Sequence, residues 1–214
     1  MKTWTGQLSF LEKVFCEINH FSNCINSINN YSYNNEFGSH KQMKEEDRIK
    51  SLGLMRINHC GELCAQALYR GQISSGKTNS IKNDLQEALM EEKKHLQWCK
   101  TRILELGGSP SRSEPIFYLI SFAIGYIAGL CGDSTSYSFI LECENQVMEH
   151  IKKHLLEMPI QDIKSRKILE TMYADEKKHA NNAKSKGGHV FSNQIKRIMH
   201  FQSRVMIFFT SKCK

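Results

Sequence analysis

An all-α four-helix bundle with flanking amphipathic helices is the fold that this sequence predicts, and three observations predict it. The first is a unit used twice, a lone glutamate followed about thirty residues later by Glu-x-x-His: Glu62 with Glu92-Lys93-Lys94-His95, and Glu144 with Glu176-Lys177-Lys178-His179. The second is the position of the turn signals, which fall midway between the glutamates of each unit. The third is composition, with three prolines in 214 residues and 40% hydrophobic content, enough for one compact helical core.

The elements follow in order. Leu8, Leu11, Val14, Phe15 and Ile18 place a short amphipathic helix near 7–18, and the Asn/Ser-rich stretch 22–40 reads as a flexible linker. Together they make an N-terminal region, 1–44, ahead of a main domain over 45–214. Within that domain the first bundle helix is predicted over about 45–74 and the second over about 80–106, before Gly107-Gly108-Ser109-Pro110. The third falls somewhere in 115–157, and the fourth spans about 162–186, ahead of Gly187-Gly188. An amphipathic helix over about 192–209 closes the chain.

Antiparallel hairpins bring the paired glutamates together only if each turn is centred between them. Ser74-Ser75-Gly76-Lys77 lies at the midpoint of Glu62 and Glu92, and Pro159 beside that of Glu144 and Glu176. The arms are then roughly 22–24 Å at about 1.5 Å per residue, an ordinary bundle length.

Periodicity selects the acids that face inward. Glu92 is in register with Leu85, Leu89, Leu96, Cys99 and Ile103, while Glu91 shares a polar side with Glu87, Lys94 and Trp98. Glu144 lies with Ile140, Val147 and Ile151, leaving Glu142, Asn145, Gln146, Glu149 and Lys153 for a solvated face. Glu176 follows Leu169, Met172 and Tyr173 and precedes Ala180 and Ala183; Glu62 sits on a weaker stripe with Ala65 and Leu68. A single Glu-x-x-His is usually a solvated pair. Four carboxylates on apolar stripes, with two histidines, instead call for a shared cation, because an uncompensated buried charge is costly. Glu62, Glu92, His95, Glu144, Glu176 and His179 are the ligand set of a di-iron or di-manganese bundle, and oxygen and imidazole donors suit those metals better than structural zinc.

The eight cysteines form no Cys-x-x-Cys pair and read as reduced thiols of a cytoplasmic compartment. The N-terminus has no secretory signal pattern. From Pro115 to Gly132 no residue is charged; a buried crossover helix and a lipid-contacting one are the two readings of that run. Seven basic residues after Ala183 meet no acid, so the tail carries the whole net charge of +7. Because Ile195, Ile198, Met199, Val205, Met206 and Phe209 share its helix, the tail reads as an interfacial anchor for anionic lipid, with nucleic acid the less favoured partner.

The run Gly53-Leu54-Met55-Arg56-Ile57-Asn58-His59-Cys60-Gly61-Glu62-Leu63-Cys64-Ala65-Gln66-Ala67-Leu68-Tyr69 resembles the bacterial demethoxyubiquinone hydroxylases of ubiquinone biosynthesis. So do Ser121-Phe122-Ala123-Ile124-Gly125, Ala128-Gly129-Leu130 and Asp175-Glu176-Lys177-Lys178-His179. The likeness covers roughly 48–209; Cys60 and Cys143 depart from the residues expected there. What the resemblance implies is a ferritin-like di-iron monooxygenase, peripheral on the cytoplasmic face of the membrane, acting on a polyprenyl methoxy-methyl-benzoquinol. It implies two iron ions per chain, dioxygen as co-substrate, electrons from NADH directly or through the quinol, and other proteins of the pathway as partners. Glu62 and His95 would hold one iron and Glu144 and His179 the other, with Glu92 and Glu176 bridging. His59 and His150 are candidates for supporting or proton-transfer roles, and Tyr69, Tyr137 and Tyr173 for gating substrate. No Gly-x-Gly-x-x-Gly pattern accompanies them to hold a dinucleotide. A ferritin-type iron store or oxidase, a non-enzymatic membrane-binding helical protein and a hydroxylase of modified nucleosides in RNA are the competing readings.

Overall fold

A computed structural model describes residues 9–27, 37 and 43–212. Seven helices are described: α1 Phe10–Ser27, α2 Glu45–Ser75, α3 Asn79–Glu105, α4 Glu114–Leu130, α5 Asp133–Glu157, α6 Ile163–Ser185 and α7 Asn193–Lys212. The chain divides into two units, within 1–34 and 35–214. In the first, α1 begins with a capping box, in which the Glu12 amide donates to Ser9 Oγ at 3.3 Å and the Ser9 amide to Glu12 Oε2 at 2.7 Å. This helix continues through residues 22–27, the start of the predicted linker. The rest of that linker, apart from Phe37, and the N-terminal residues read for a signal lie outside the described residues.

In the second unit α2, α3, α5 and α6 form the bundle as two hairpins. The first turns at Gly76, whose amide donates to Gln72 O, and α3 starts where Thr78 Oγ1 accepts from the Ile81 amide. The second turns over 158–162, and Asp162 caps α6 by accepting from the Ser165 amide at 3.0 Å. Both turns sit where the glutamate spacing requires them. Arg102, fully buried, locks α3 to the start of α6 through Asp162 and Ser165, at 2.7 and 2.8 Å.

Two apolar clusters fill the bundle. One gathers Leu52, Met55, Cys99, Ile103, Ile151, Leu169 and Met172; the other gathers Leu68, Tyr69, Leu85, Leu89, Ile140, Leu141, Ala180 and Ala183. On each of the four helices the candidate metal ligand lies between a residue of the first cluster and one of the second. The polar layer is thus sealed above and below by hydrocarbon.

The segment 115–157 is two helices. Gly132 breaks it at φ +106°, a left-handed conformation that glycine adopts without steric cost. The uncharged run becomes α4, which lies against α2 where Gly71, Gly125 and Gly129 leave no room for a Cβ: one on Gly125 would meet the Leu68 backbone, and one on Gly71 the backbone of Phe122 and Tyr126. Phe117, Tyr118, Ser121 and Phe122 are buried, whereas Ile116, Ile120, Ile127 and Leu130 stay exposed. The helix therefore has both a packed face and an open apolar one. No helix among the described residues is long and apolar enough to cross a membrane.

The predicted solvated face of α5 is partly covered. Glu142 and Gln146 are buried, with Lys196 of α7 3.5 Å from Glu142 and Ser203 of α7 donating to Gln146 at 3.2 Å. Helical periodicity reports where a side chain points and not whether a later helix lies over it.

Candidate metal centre

All six predicted ligands converge, and each is at most 9% exposed. Glu62 comes from α2, Glu92 and His95 from α3, Glu144 from α5, and Glu176 and His179 from α6. Their donor atoms form two groups, Glu62-Glu92-His95-Glu176 and Glu92-Glu144-Glu176-His179, with the atoms of each within 4.8 Å of one another. Glu92 and Glu176 belong to both. His95 Nδ1 lies 3.0 Å from Glu176 Oε1, 3.4 Å from Glu62 Oε2 and 3.8 Å from Glu92 Oε2. His179 Nδ1 lies 3.0 Å from Glu176 Oε2 and 3.6 Å from Glu92 Oε1.

The outer nitrogens of the two imidazoles are held reciprocally. His179 Nε2 is 2.6 Å from Glu91 Oε2 of α3, and His95 Nε2 is 3.1 Å from Asp175 Oδ2 of α6. Each acid immediately precedes a ligand glutamate in sequence, yet it reaches the histidine of the other helix. Periodicity assigned Glu91 to a polar side, and it is indeed partly exposed; the structure adds its pairing with His179. The signal that could have identified both residues is the doubled acid in Glu91-Glu92 and Asp175-Glu176. A carboxylate on Nε2–H leaves the Nδ1 lone pair directed inward, which suits a metal ligand.

Electrostatics bear out the crowding. Burial, followed by the charges of Glu176 and Glu62, pushes Glu92 well above the usual carboxylate range; burial and Glu176 do the same to Glu144. Burial opposes ionisation of Glu176 too, but hydrogen bonds from His179 and His95 outweigh it and hold this carboxyl down at about 2. The same carboxylate overcomes burial of His179 and lifts it to about 9; His95 is raised as well, by Glu176, Glu62 and Glu92 against burial. A divalent cation bound among these groups would displace the protons that such crowding favours.

These residues fit a metal pair on two counts. Glu62 Oε2, both Glu92 oxygens, His95 Nδ1 and Glu176 Oε1 are buried without a hydrogen bond of normal geometry, a costly condition that coordination would relieve. The donors are also all carboxylate oxygen and imidazole nitrogen, the preference of iron and manganese.

The supporting candidates separate. Tyr69 donates its hydroxyl to Glu144 and is fully buried. Tyr137 instead meets Asp84 at 2.5 Å, and Tyr173 lies under the Lys152 ammonium. His59 Nδ1 pairs with Glu114 Oε1 of α4 at 2.7 Å rather than with any of the six. His150, depressed by burial and by Lys153, lines an apolar pocket of about 110 Å³. Cys64, Phe117, Ile124, Cys143 and Met206 share its wall. Cys64 and Cys143 stand two residues after Glu62 and one before Glu144, so the pocket, bounded by α2, α4, α5 and α7, flanks the metal layer.

Among solved structures, the Dps92 protein of Deinococcus radiodurans matches 65% of this chain and 87% of its own at a TM-score of 0.58 and 15% identity. A bacterioferritin-related thioferritin of Bacteroides fragilis matches 74% and 92% at 0.55 and 16%. At these identities they establish the ferritin-like fold. The 3-demethoxyubiquinol 3-hydroxylase of Alcanivorax borkumensis is 47% identical over 168 residues, covering 78% of this chain and 77% of the relative. That of Francisella tularensis is 42% identical over 202 residues, covering 94% and 96%. Residues 50–210 match the model of the family described as ubiquinone biosynthesis protein COQ7. With the bundle, the two overlapping ligand groups and these relatives in agreement, the chain belongs to the COQ7 family.

Proposed function

We propose that this chain is a dioxygen-dependent di-iron monooxygenase that hydroxylates the ring of a polyprenyl methoxy-methyl-benzoquinol, the demethoxyubiquinol named in its relatives. The observation that carries this reading is the pair of ligand groups sharing Glu92 and Glu176. Glu62 and His95 would hold one iron and Glu144 and His179 the second, with Glu92 and Glu176, which belong to both groups, serving the two ions together. When bound, the iron pair would supply the reduction of dioxygen, one atom entering the ring and the other leaving as water, with two electrons from NADH or a quinol and two protons consumed.

The chain's own residues prepare that chemistry. Glu91 and Asp175 orient the two imidazoles, and Tyr69 holds Glu144. The pocket beside Cys64 and Cys143 admits the ring, and its apolar wall excludes water. Under labelled dioxygen the product is expected to gain one labelled oxygen, read from its mass. Label arriving only from water, with exchange excluded, would overturn the monooxygenase reading.

Access to a lipid-borne substrate rests on α4 and α7. Ile116, Ile120 and Ile127 on α4 and Ile198, Phe201 and Phe208 on α7 are exposed beside the pocket-lining residues of the same helices. Arg197 and Arg204 are exposed on α7, whereas Lys196 pairs with Glu142. These features support peripheral docking at the cytoplasmic face of the membrane, with α4 and α7 framing the portal. Each arginine near an anionic surface contributes about 1 kcal/mol, so Arg197→Gln with Arg204→Gln should weaken binding to vesicles containing phosphatidylserine by roughly 30-fold. Turnover of a long-tailed quinol should fall while that of a short-tailed soluble analogue holds. Unchanged vesicle binding, or equal loss on both substrates, would refute docking by this face.

A further inference from the structure

Beside the metal layer lies a second group of potential ligands, all sulfur. The Cys64 thiol donates to Met206 Sδ at 3.8 Å, joining α2 to α7 at the wall of the pocket. One helical turn before Cys64 and on the same face of α2, the fully buried Cys60 packs with Met206 and Phe117 in one apolar cluster. Cys143 and Met199 line the same pocket. In the chemistry proposed above these side chains only help to line or pack against the pocket, and their sulfur atoms are not used.

We propose that Cys60, Cys64 and Met206 form a binding site for one thiophilic monovalent cation of the Cu(I) class. Thiolate and thioether donors select such ions, just as the carboxylates and imidazoles of the metal layer select harder ones, so α2 presents two metal chemistries: Glu62 faces one way, and Cys60 and Cys64, each two residues from it, face another. Metal–sulfur bonds of about 2.3 Å meeting at about 120° place their sulfurs about 4.0 Å apart, close to the Cys64–Met206 spacing before any movement. The third donor of a trigonal site is Cys60. Binding is not a redox step: the ion enters as Cu(I), sulfur–copper bonds form, and the thiol protons displaced leave to water. An ion held there ties α7 to α2 and occupies the pocket wall beside Glu62.

A sulfur pair elsewhere supplies the comparison. Cys99 donates to Met172 at the same 3.8 Å, but both residues are fully buried in the core and neither is among the residues lining the described pocket. Proximity alone therefore does not make the site; access from the pocket and a third sulfur do.

The iron-loaded protein, titrated anaerobically with Cu(I) against a chromogenic Cu(I) chelator, tests this independently of any hydroxylation. The expected result is one Cu(I) per chain with iron content unchanged, and sulfur-only neighbours in copper X-ray absorption. Uptake should be lost in Cys64→Ser and in Met206→Leu, the latter a volume-conserving apolar swap that keeps the fold. It should persist in Cys99→Ser. Uptake unchanged in both pocket variants, equal loss in Cys99→Ser, or copper entering only as iron leaves would each overturn the site.

Discussion

Replacing Glu92 or Glu176 by alanine is expected to lower bound iron from about two ions per chain to less than one, with loss of hydroxylation. Each of these carboxylates belongs to both ligand groups, so its removal weakens both positions at once. Glu62→Ala, which removes a donor from only one group, should lose one ion and keep more of the other. Glu91→Gln and Asp175→Asn leave all six ligands in place and act through the imidazole Nε2–H, where outer partners typically matter by about 10–100-fold in affinity or activity. Iron analysis of the purified variants orders them. Undiminished iron in both Glu92→Ala and Glu176→Ala would sink the bridging assignment, and a Glu91→Gln effect as large as Glu92→Ala would reverse the ranking of ligand and partner.

Gly125→Val carries the largest expected effect on stability. A side chain there is driven into the Leu68 backbone, and neither helix can yield without parting α4 from α2. Overpacking of this kind costs about 3 kcal/mol, which for a chain of this size lowers Tm by about 6–12 °C. Gly53→Ala in the same α2 provides the opposite sign: nothing lies within 4 Å of the added Cβ, and a helical glycine replaced by alanine gains about 0.4–1 kcal/mol. Thermal melts at equal iron loading separate the two. Were Gly125→Val to melt with the wild type, the close approach of α2 and α4 would not be a packing constraint. Since Leu68 and Ile124 line the pocket, the same substitution should also impair substrate entry.

Much of this architecture is legible in the residues. The midpoints between the paired glutamates mark both hairpin turns, because the rise per residue is the same in the two antiparallel helices of each hairpin. Register against Leu, Ile and Cys singled out Glu92 over Glu91, and the structure buries Glu92 while leaving Glu91 partly exposed. The uncharged run 115–132 was harder to read. Its composition is compatible with burial and with lipid contact alike, and the helix has one face for each; three glycines set which face meets α2, a matter of backbone approach that hydropathy does not encode.

What the sequence by itself determined is therefore local and periodic: the spans of α2, α3, α6 and α7, the turn positions and the inward orientation of the six ligands. Tertiary structure alone decided what depends on one helix lying beside another. It paired Glu91 with His179 and Asp175 with His95, since an acid one position before a ligand points about a quarter-turn away, toward whatever helix is adjacent. It drew Glu142 and Gln146 beneath α7, and it gathered Cys60, Cys64 and Met206 from segments 142 residues apart at the Cys64–Met206 contact. Periodicity along one chain gives the direction of a side chain; only the packed bundle supplies the partner waiting in that direction.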